Sequence, residues 1–149
     1  MIELLKENRP ELIKQIVQLE NEAFGADGLT EWVLVPLVRH GRVYCLTIGN
    51  RLVGAAQYLR DWDNPELAYL VGIAVAKSHQ GQGWGTELMK ESMRSMSRDG
   101  IRELELTVAP DNRGAVEVYK RKLGFVEAGY RRNEYGEGRD RLVMRYKND

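Results

Sequence analysis

The sequence has one cysteine, two histidines and no excess charge of either sign. Lysine plus arginine and aspartate plus glutamate both number 22, so no overall positive field is available to hold a nucleic-acid backbone. One cysteine excludes an internal disulfide, and Cys45 lies in an apolar run that favours a buried structural thiol over a nucleophile. His40 and His79 lack partners at metal-ligand spacing, so the sequence predicts no metal site.

Long apolar runs are also missing from the chain. No run approaches the roughly 18 apolar residues of a membrane span, and the first residues do not form a charged-then-apolar leader. We therefore expect a cytoplasmic protein without membrane or nucleic-acid partners. The length of 149 residues suits one core, so residues 1–149 are expected to form a single domain with one site. The assembly state is left open, with a homodimer as one option.

The spacing of apolar residues predicts a mixed α/β fold. The predicted helices cover residues 10–24, 30–41, 83–99 and 112–124. The predicted strands cover residues 1–6, 43–48, 52–58, 67–75, 103–108, 125–135 and 142–146. Gly49-Asn50 is the expected hairpin turn, and Pro36 predicts a bend or break in the second helix. The order indicates an antiparallel meander followed by a half in which strands and helices alternate.

A glycine-rich segment, Gln80-Gly81-Gln82-Gly83-Trp84-Gly85-Thr86, joins a predicted strand to a predicted helix. Glycines let the backbone approach an anion and direct N–H groups at it from a helix N-terminus. A tight turn needs glycines too, so the segment alone leaves both interpretations open. A Walker loop is excluded because no lysine separates Gly85 from Thr86. A Rossmann loop needs two residues, not one, between its second and third glycines.

Gln80-x-x-Gly83-x-Gly85 resembles the Q/R-x-x-G-x-G/A signature of the GNAT N-acetyltransferase superfamily. Ile73-Ala74-Val75 occupies the preceding strand at the family's distance. Asn112-x-x-Ala115-x-x-x-Tyr119, followed by Leu123-Gly124-Phe125, is similar to the second half of the family pattern. Two motifs in the correct order are more specific than either alone. The resemblance implies the GNAT fold, a mixed sheet of about seven strands with an antiparallel N-terminal meander, splayed central strands and about four helices.

The resemblance also implies an enzyme that transfers an acetyl group from acetyl-CoA to a primary amine by direct attack and without a metal. The residues that it implicates in coenzyme binding are Ile73, Ala74, Val75, Gln80, Gly81, Gln82, Gly83, Trp84, Gly85, Thr86, Asn112 and Tyr119. The backbone N–H of Ile73 would polarise the thioester carbonyl, and the loop amides would hold the diphosphate. Asn112 would contact the pantetheine arm, cap the fourth helix, or do both.

Tyr119 is implied to be the general acid that protonates the departing coenzyme sulfur. A thiolate of pKa about 8.5 leaves while a tyrosine of pKa about 10 is still protonated, so the phenol is an available donor. Outside this motif, a tyrosine on the apolar side of a helix would be interpreted as a core residue with a satisfied hydroxyl.

The resemblance does not identify the general base that would accept a proton from the amine. An alkyl amine of pKa about 10.4 is only about 0.1% neutral near pH 7.4, so a group that receives its proton is expected. The C-terminal half looks most like the ribosomal-protein N-terminal acetyltransferase branch, which places a glutamate at the position of Thr107. Glu66 is our predicted catalytic carboxylate, with Glu105 and Asp61 as other candidates. A non-catalytic acyl-CoA sensor is the alternative that this substitution leaves open.

The acceptor is open at this point: a small molecule such as a polyamine or amino acid derivative, or a protein amine. The acidic turn 61–66, with Trp62 or Trp32 nearby in sequence, could attract a cationic amine or could be a solvated turn. Five arginines form a basic C-terminal cluster: Arg131, Arg132, Arg139, Arg141 and Arg145. That cluster could meet the 3′-phosphate of the coenzyme or an acidic substrate, or be the solvated face of strands.

Overall fold

The computed structural model describes residues 1–148, which contain four α-helices and seven β-strands. The helices are α1 (Pro10–Phe24), α2 (Glu31–His40), α3 (Trp84–Arg98) and α4 (Arg113–Glu117). The strands are β1 (Ile2–Leu4), β2 (Arg42–Ile48), β3 (Arg51–Arg60), β4 (Leu67–Val75), β5 (Glu103–Val108), β6 (Val126–Arg131) and β7 (Arg141–Lys147). The strand order in the sheet is β1-β2-β3-β4-β5-β7-β6.

The tertiary contacts group these elements into two compact units. The first unit contains Met1–Leu59 and Val71–Ser95, and the second contains Arg60–Leu70 and the chain from Met96 onward. β4 and α3 each contribute residues to both units. The expectation of one domain over residues 1–149 stays a prediction.

The first unit is organised around the β2–β3 hairpin. Gly49 and Asn50 both have positive φ, 56° and 63°, the combination that a two-residue type I′ turn requires. Ile16 of α1, Leu34 of α2 and Cys45 of β2 pack together in the apolar core and are all 0% exposed. The expectation that Cys45 is a buried structural thiol is therefore confirmed. α2 continues through Pro36 rather than ending there.

Tyrosines of β2 and β3 connect the hairpin to α3. The Tyr58 hydroxyl lies 2.7 Å from Ser92 Oγ, and the Tyr44 hydroxyl donates to Ser95 Oγ at 3.0 Å. Buried polar groups need such partners, because an unpaired hydroxyl in the core destabilises the fold. The helix is thereby fixed against the strands that precede β4.

The second unit contains β5, β6, β7 and the first part of β4. β5 pairs with β7 in antiparallel register from Glu103↔Lys147 to Val108↔Leu142. β4 pairs with β5 in parallel over three residue pairs, ending at Tyr69↔Glu105.

Two predicted boundaries in the second unit were wrong. The strand predicted for 125–135 ends at Arg131, because Asn133 adopts φ 53° and begins a turn. Asp140 closes that turn by accepting hydrogen bonds from Asn133 N–H at 2.8 Å and from the Tyr130 hydroxyl at 2.7 Å. The predicted fourth helix is α-helical only over Arg113–Glu117 and continues as a π-helical turn over Val118–Lys122.

Candidate functional site

The glycine loop follows β4 in the first unit. Gly81 and Gly83 have φ of 76° and 86°, a region that favours glycine, and a Cβ added to either would meet nothing within 4 Å. The Gln80 side-chain amide donates to the Val75 carbonyl at 2.9 Å and so attaches the loop to the end of β4. The glycines therefore permit the turn and also leave its backbone open on one side.

The N-terminus of α3 supplies unpaired amides beside this loop. The Glu87 N–H donates to the Gly83 carbonyl at 3.0 Å, as in a regular helical ladder. The amides of Trp84, Gly85 and Thr86 precede that bond, so the helix itself offers them no acceptor. Together with the helix dipole, these N–H groups form an environment that favours an anion without a lysine side chain.

A cavity of about 380 Å³ lies at the same end of β4. Its lining residues are Leu19, Glu22, Ala23, Phe24, Ile73, Ala74, Val75, Ala76, Lys77 and Gln80. The cavity therefore brings together Gln80 and all three strand residues that the sequence singled out. Leu19, Ala23 and Phe24 form its apolar wall from α1, and Glu22, Lys77 and Gln80 add polar groups, so the cavity suits an extended ligand with both apolar and polar parts.

Tyr119 lies in the π-helical turn of the second unit and is half-buried. Its ring lies 5.8 Å from the Phe125 ring, and its carbonyl accepts from Phe125 N–H at 2.9 Å. Burial raises the pKa of the phenol, and the positive charge of Arg141 partly offsets that rise. The phenol is therefore protonated at neutral pH and can act as a proton donor.

Asn112 is the N-cap of α4. Its side-chain oxygen accepts a hydrogen bond from Ala115 N–H at 3.3 Å, and the side chain is otherwise exposed. The capping role that the sequence left open is therefore present in the structure, while a contact with the coenzyme stays a prediction.

The candidate carboxylates have different surroundings. Glu66 is exposed in the turn before β4, and seven residues of extended chain, about 23 Å, separate it from Ile73. Glu105 is 7% exposed and is held by Arg131 at 3.2 Å and Arg145 at 2.8 Å. Asp61 stabilises its own turn by accepting from two backbone amides. Glu105 and Asp61 therefore already have partners that stabilise the fold. The role of Glu66 as the base stays a prediction.

A cluster around Thr107 was missed by the sequence analysis. The Thr107 hydroxyl lies 3.2 Å from the Tyr69 hydroxyl and accepts from Arg141 Nε at 3.1 Å. Arg141 Nη2 donates to the Thr107 carbonyl at 2.8 Å, and its guanidinium carbon lies 5.1 Å from the centre of the Tyr135 ring. No local pattern predicts this cluster, because Tyr69 and Arg141 are 38 and 34 residues from Thr107.

Two further features bear on the class of site. Among residues 1–148, no three histidine, cysteine, aspartate or glutamate side chains lie together as a group that could hold a metal ion. The described helices are all too short or too polar to cross a membrane.

The acetyltransferase (GNAT) family model matches residues 7–125, and the chain belongs to this family. The match includes the glycine loop, Asn112 and Tyr119. An N-alpha-acetyltransferase of Sulfurisphaera tokodaii is 36% identical over 77 residues, which cover 51% of this chain and 46% of that protein. The matched stretches cover 46%, 29% and 41% of the first three curated relatives, less than half of each.

Solved structures share the fold. The ribosomal-protein-S18-alanine N-acetyltransferase of Escherichia coli superposes with a TM-score of 0.80 at 23% identity, over 99% of this chain and 94% of that one. A Bacillus subtilis acetyltransferase in complex with CoA superposes with a TM-score of 0.76 at 18% identity, over 98% and 97% of the two chains. The predicted family and the predicted GNAT fold, with seven strands and four helices, are confirmed.

Proposed function

We propose that the protein is a cytoplasmic N-acetyltransferase that transfers an acetyl group from acetyl-CoA to a primary amine of a small molecule or a protein. The observation that carries this proposal is the open glycine loop at the N-terminus of α3, beside a cavity lined by Ile73–Val75. Family membership and a fold neighbour that binds CoA also support it.

The donor would bind along the end of β4 and across the loop. The pantetheine arm would hydrogen-bond to the backbone of Ile73, Ala74 and Val75. The diphosphate would accept hydrogen bonds from the amides of Gly81 to Thr86, where Gln80 holds the loop in place. Asn112 would contact the arm through its side-chain NH2 group, because the capping hydrogen bond uses only the side-chain oxygen.

The reaction would proceed without a covalent enzyme intermediate. The neutral amine attacks the thioester carbonyl carbon, and the carbonyl electron pair moves to oxygen, where the Ile73 N–H stabilises it. Collapse of this tetrahedral species re-forms the C=O bond and breaks the C–S bond. Tyr119 gives its proton to the departing sulfur and regains one from solvent, while the amine nitrogen loses one proton overall.

The attacking amine needs a group that accepts its proton. At neutral pH the ammonium form dominates, and the small neutral fraction is equivalent to a barrier of roughly 4 kcal/mol. Glu66 is the base predicted from the sequence, and because about 23 Å of extended chain separates it from Ile73, a chain of waters would carry the proton to it. Glu22 is a second candidate because its side chain lines the cavity at the end of β4.

A non-catalytic acyl-CoA sensor is the second candidate function. The observation that favours it is Thr107, which stands where the related branch carries a glutamate. The Thr107 hydroxyl is engaged by Tyr69 and Arg141 and is not a base at neutral pH. A sensor would retain the coenzyme site and lack turnover.

Replacement of Tyr119 by phenylalanine separates these functions. We expect Tyr119→Phe to lower the rate of thiol release from acetyl-CoA with an amine panel at least tenfold. CoA affinity by calorimetry should stay within about threefold of the wild type. Tyr146→Phe is the matched control, because it removes a half-buried phenol of the same unit whose hydroxyl has no hydrogen-bond partner among the described residues. Tight CoA binding without turnover on any amine would favour the sensor, and no CoA binding would contradict both functions.

A further inference from the structure

Arg141 carries a positive charge that no carboxylate of residues 1–148 neutralises. Two other arginines of the same sheet, Arg131 and Arg145, share the Glu105 carboxylate at 3.2 and 2.8 Å. The hydrogen bonds of Arg141 go instead to the hydroxyl and carbonyl oxygens of Thr107, which are neutral. The charge of Arg141 is therefore held by neutral groups, without a counter-ion among residues 1–148.

The guanidinium also retains hydrogen-bonding capacity. It has five N–H donors, and Thr107 uses one on Nε and one on Nη2, so three remain. Arg141 is half-buried, and a partly desolvated charge favours an ionic partner. The remaining N–H groups can donate two parallel hydrogen bonds to a planar anion such as a carboxylate.

Tyrosines fix the orientation of this guanidinium and supply no negative charge. The Tyr135 ring lies 5.1 Å from its central carbon, a distance at which a cation and an aromatic ring attract each other. The Tyr69 hydroxyl holds the other side of Thr107 at 3.2 Å. Burial raises the pKa of Tyr69, so that phenol stays neutral. The site is therefore preorganised for an anion from elsewhere.

The positive charge of the Arg141 guanidinium also acts on the Tyr119 phenol. Both residues belong to the second unit, and the positive charge of Arg141 partly offsets the rise that burial causes in the pKa of the Tyr119 phenol. In the proposed function the amides of the glycine loop hold the coenzyme diphosphate. The anion that meets Arg141 is then assigned to the acceptor, with the 3′-phosphate of the coenzyme as the alternative that dephospho-CoA tests.

We propose that Arg141 binds a carboxylate of the acceptor, so that the preferred acceptor is a small primary amine that also carries a carboxylate, such as an amino acid. This inference rests on the proposed N-acetyltransferase function. A polyamine would be repelled by the same charge. The charge also disfavours the ammonium form of a bound amine, which eases proton loss in a site with threonine at position 107.

Matched acceptors test this specificity. Thiol release would be measured with 4-aminobutyrate and 6-aminohexanoate and with their carboxamides, which differ from them in the carboxylate. We expect the acids to have at least tenfold higher kcat/KM with the wild type, mainly through KM. Arg141→Gln should reduce this ratio to within twofold, and Arg141→Lys should retain part of it because lysine keeps the charge without the planar fork. Arg132→Gln removes an exposed charge of the same unit and should leave the ratio unchanged.

Several outcomes overturn the inference. Equal kcat/KM for acids and amides with the wild type would do so, as would a preference that persists in Arg141→Gln. Weaker binding of CoA to Arg141→Gln, with no such weakening for dephospho-CoA, would assign Arg141 to the coenzyme phosphate. Absence of thiol release with every acceptor would contradict the proposed function itself. If Arg141→Gln does not fold, the wild-type ratio and Arg141→Lys decide the question.

Discussion

Replacement of Gly83 by alanine distinguishes a coenzyme cradle from a turn that merely needs glycine. Gly83 has φ 86°, and Gly100, beyond the C-terminus of α3, has φ 94°. A Cβ at either position meets no atom within 4 Å, so neither substitution creates a clash inside the protein. The backbone strain of a non-glycine residue in this region is about 1–2 kcal/mol at each position. Both variants should therefore lose similar stability.

The two variants should differ in coenzyme binding. The alanine methyl group at position 83 would point into the open space beside the loop, where the diphosphate is proposed to approach. Loss of one hydrogen bond to a charged group costs about 1.5–3 kcal/mol, or roughly 10- to 150-fold in affinity. We expect Gly83→Ala to weaken CoA binding by at least tenfold and Gly100→Ala by less than twofold.

Urea unfolding and calorimetric titration with CoA would measure both effects. Equal CoA affinity in the two variants, at equal loss of stability, would refute the cradle and support a purely structural role for the loop. A loss of affinity in both variants would indicate that backbone strain itself disturbs the site.

Two further predictions concern buried groups of the first unit. Burial raises the pKa of the Cys45 thiol to about 12, from a value of 9.0 for the unfolded chain. The protonated thiol makes its full contribution to the free energy of unfolding below pH 9, and this contribution falls as the pH rises toward 12. At pH 10 the loss is about 1.4 kcal/mol. Urea unfolding should show this loss in the wild type relative to Cys45→Ala, and parallel pH profiles would refute it. Gln57 is 0% exposed, and neither side-chain amide atom has a partner among the described residues. Gln57→Met, of similar length, should raise the free energy of unfolding by about 1 kcal/mol, whereas a loss would show that the amide has a bound water.

Elements set by local sequence were predicted well. Gly49-Asn50 supplies two residues that tolerate positive φ, so the hairpin turn is encoded where it forms. α1 begins at Pro10 and ends before Gly25, as the placement of proline and glycine predicts. The glycine loop was also predicted, although only the structure shows that its backbone is open on one side.

Features set by distant partners were not predicted. β6 ends early because Asp140 holds the turn after it, and this side chain lies seven residues from Asn133. The π-helical turn Val118–Lys122 was predicted as part of a regular α-helix, because single π-helical turns are rare and occur within α-helices. Arg141 appeared in the sequence as one of five similar arginines. Only the structure separates it from Arg131 and Arg145, by showing that Glu105 pairs with those two.

The central claim is acetyl transfer from acetyl-CoA to a primary amine, and product detection tests it most directly. The protein would be incubated with acetyl-CoA carrying a ¹³C-labelled acetyl group and a panel of amino acids, diamines and peptides. Mass spectrometry would follow the labelled products. The proposed function predicts labelled N-acetyl product from at least one acceptor, and a much lower yield of the same product with Tyr119→Phe. Absence of labelled product from every acceptor, while CoA still binds, would contradict it.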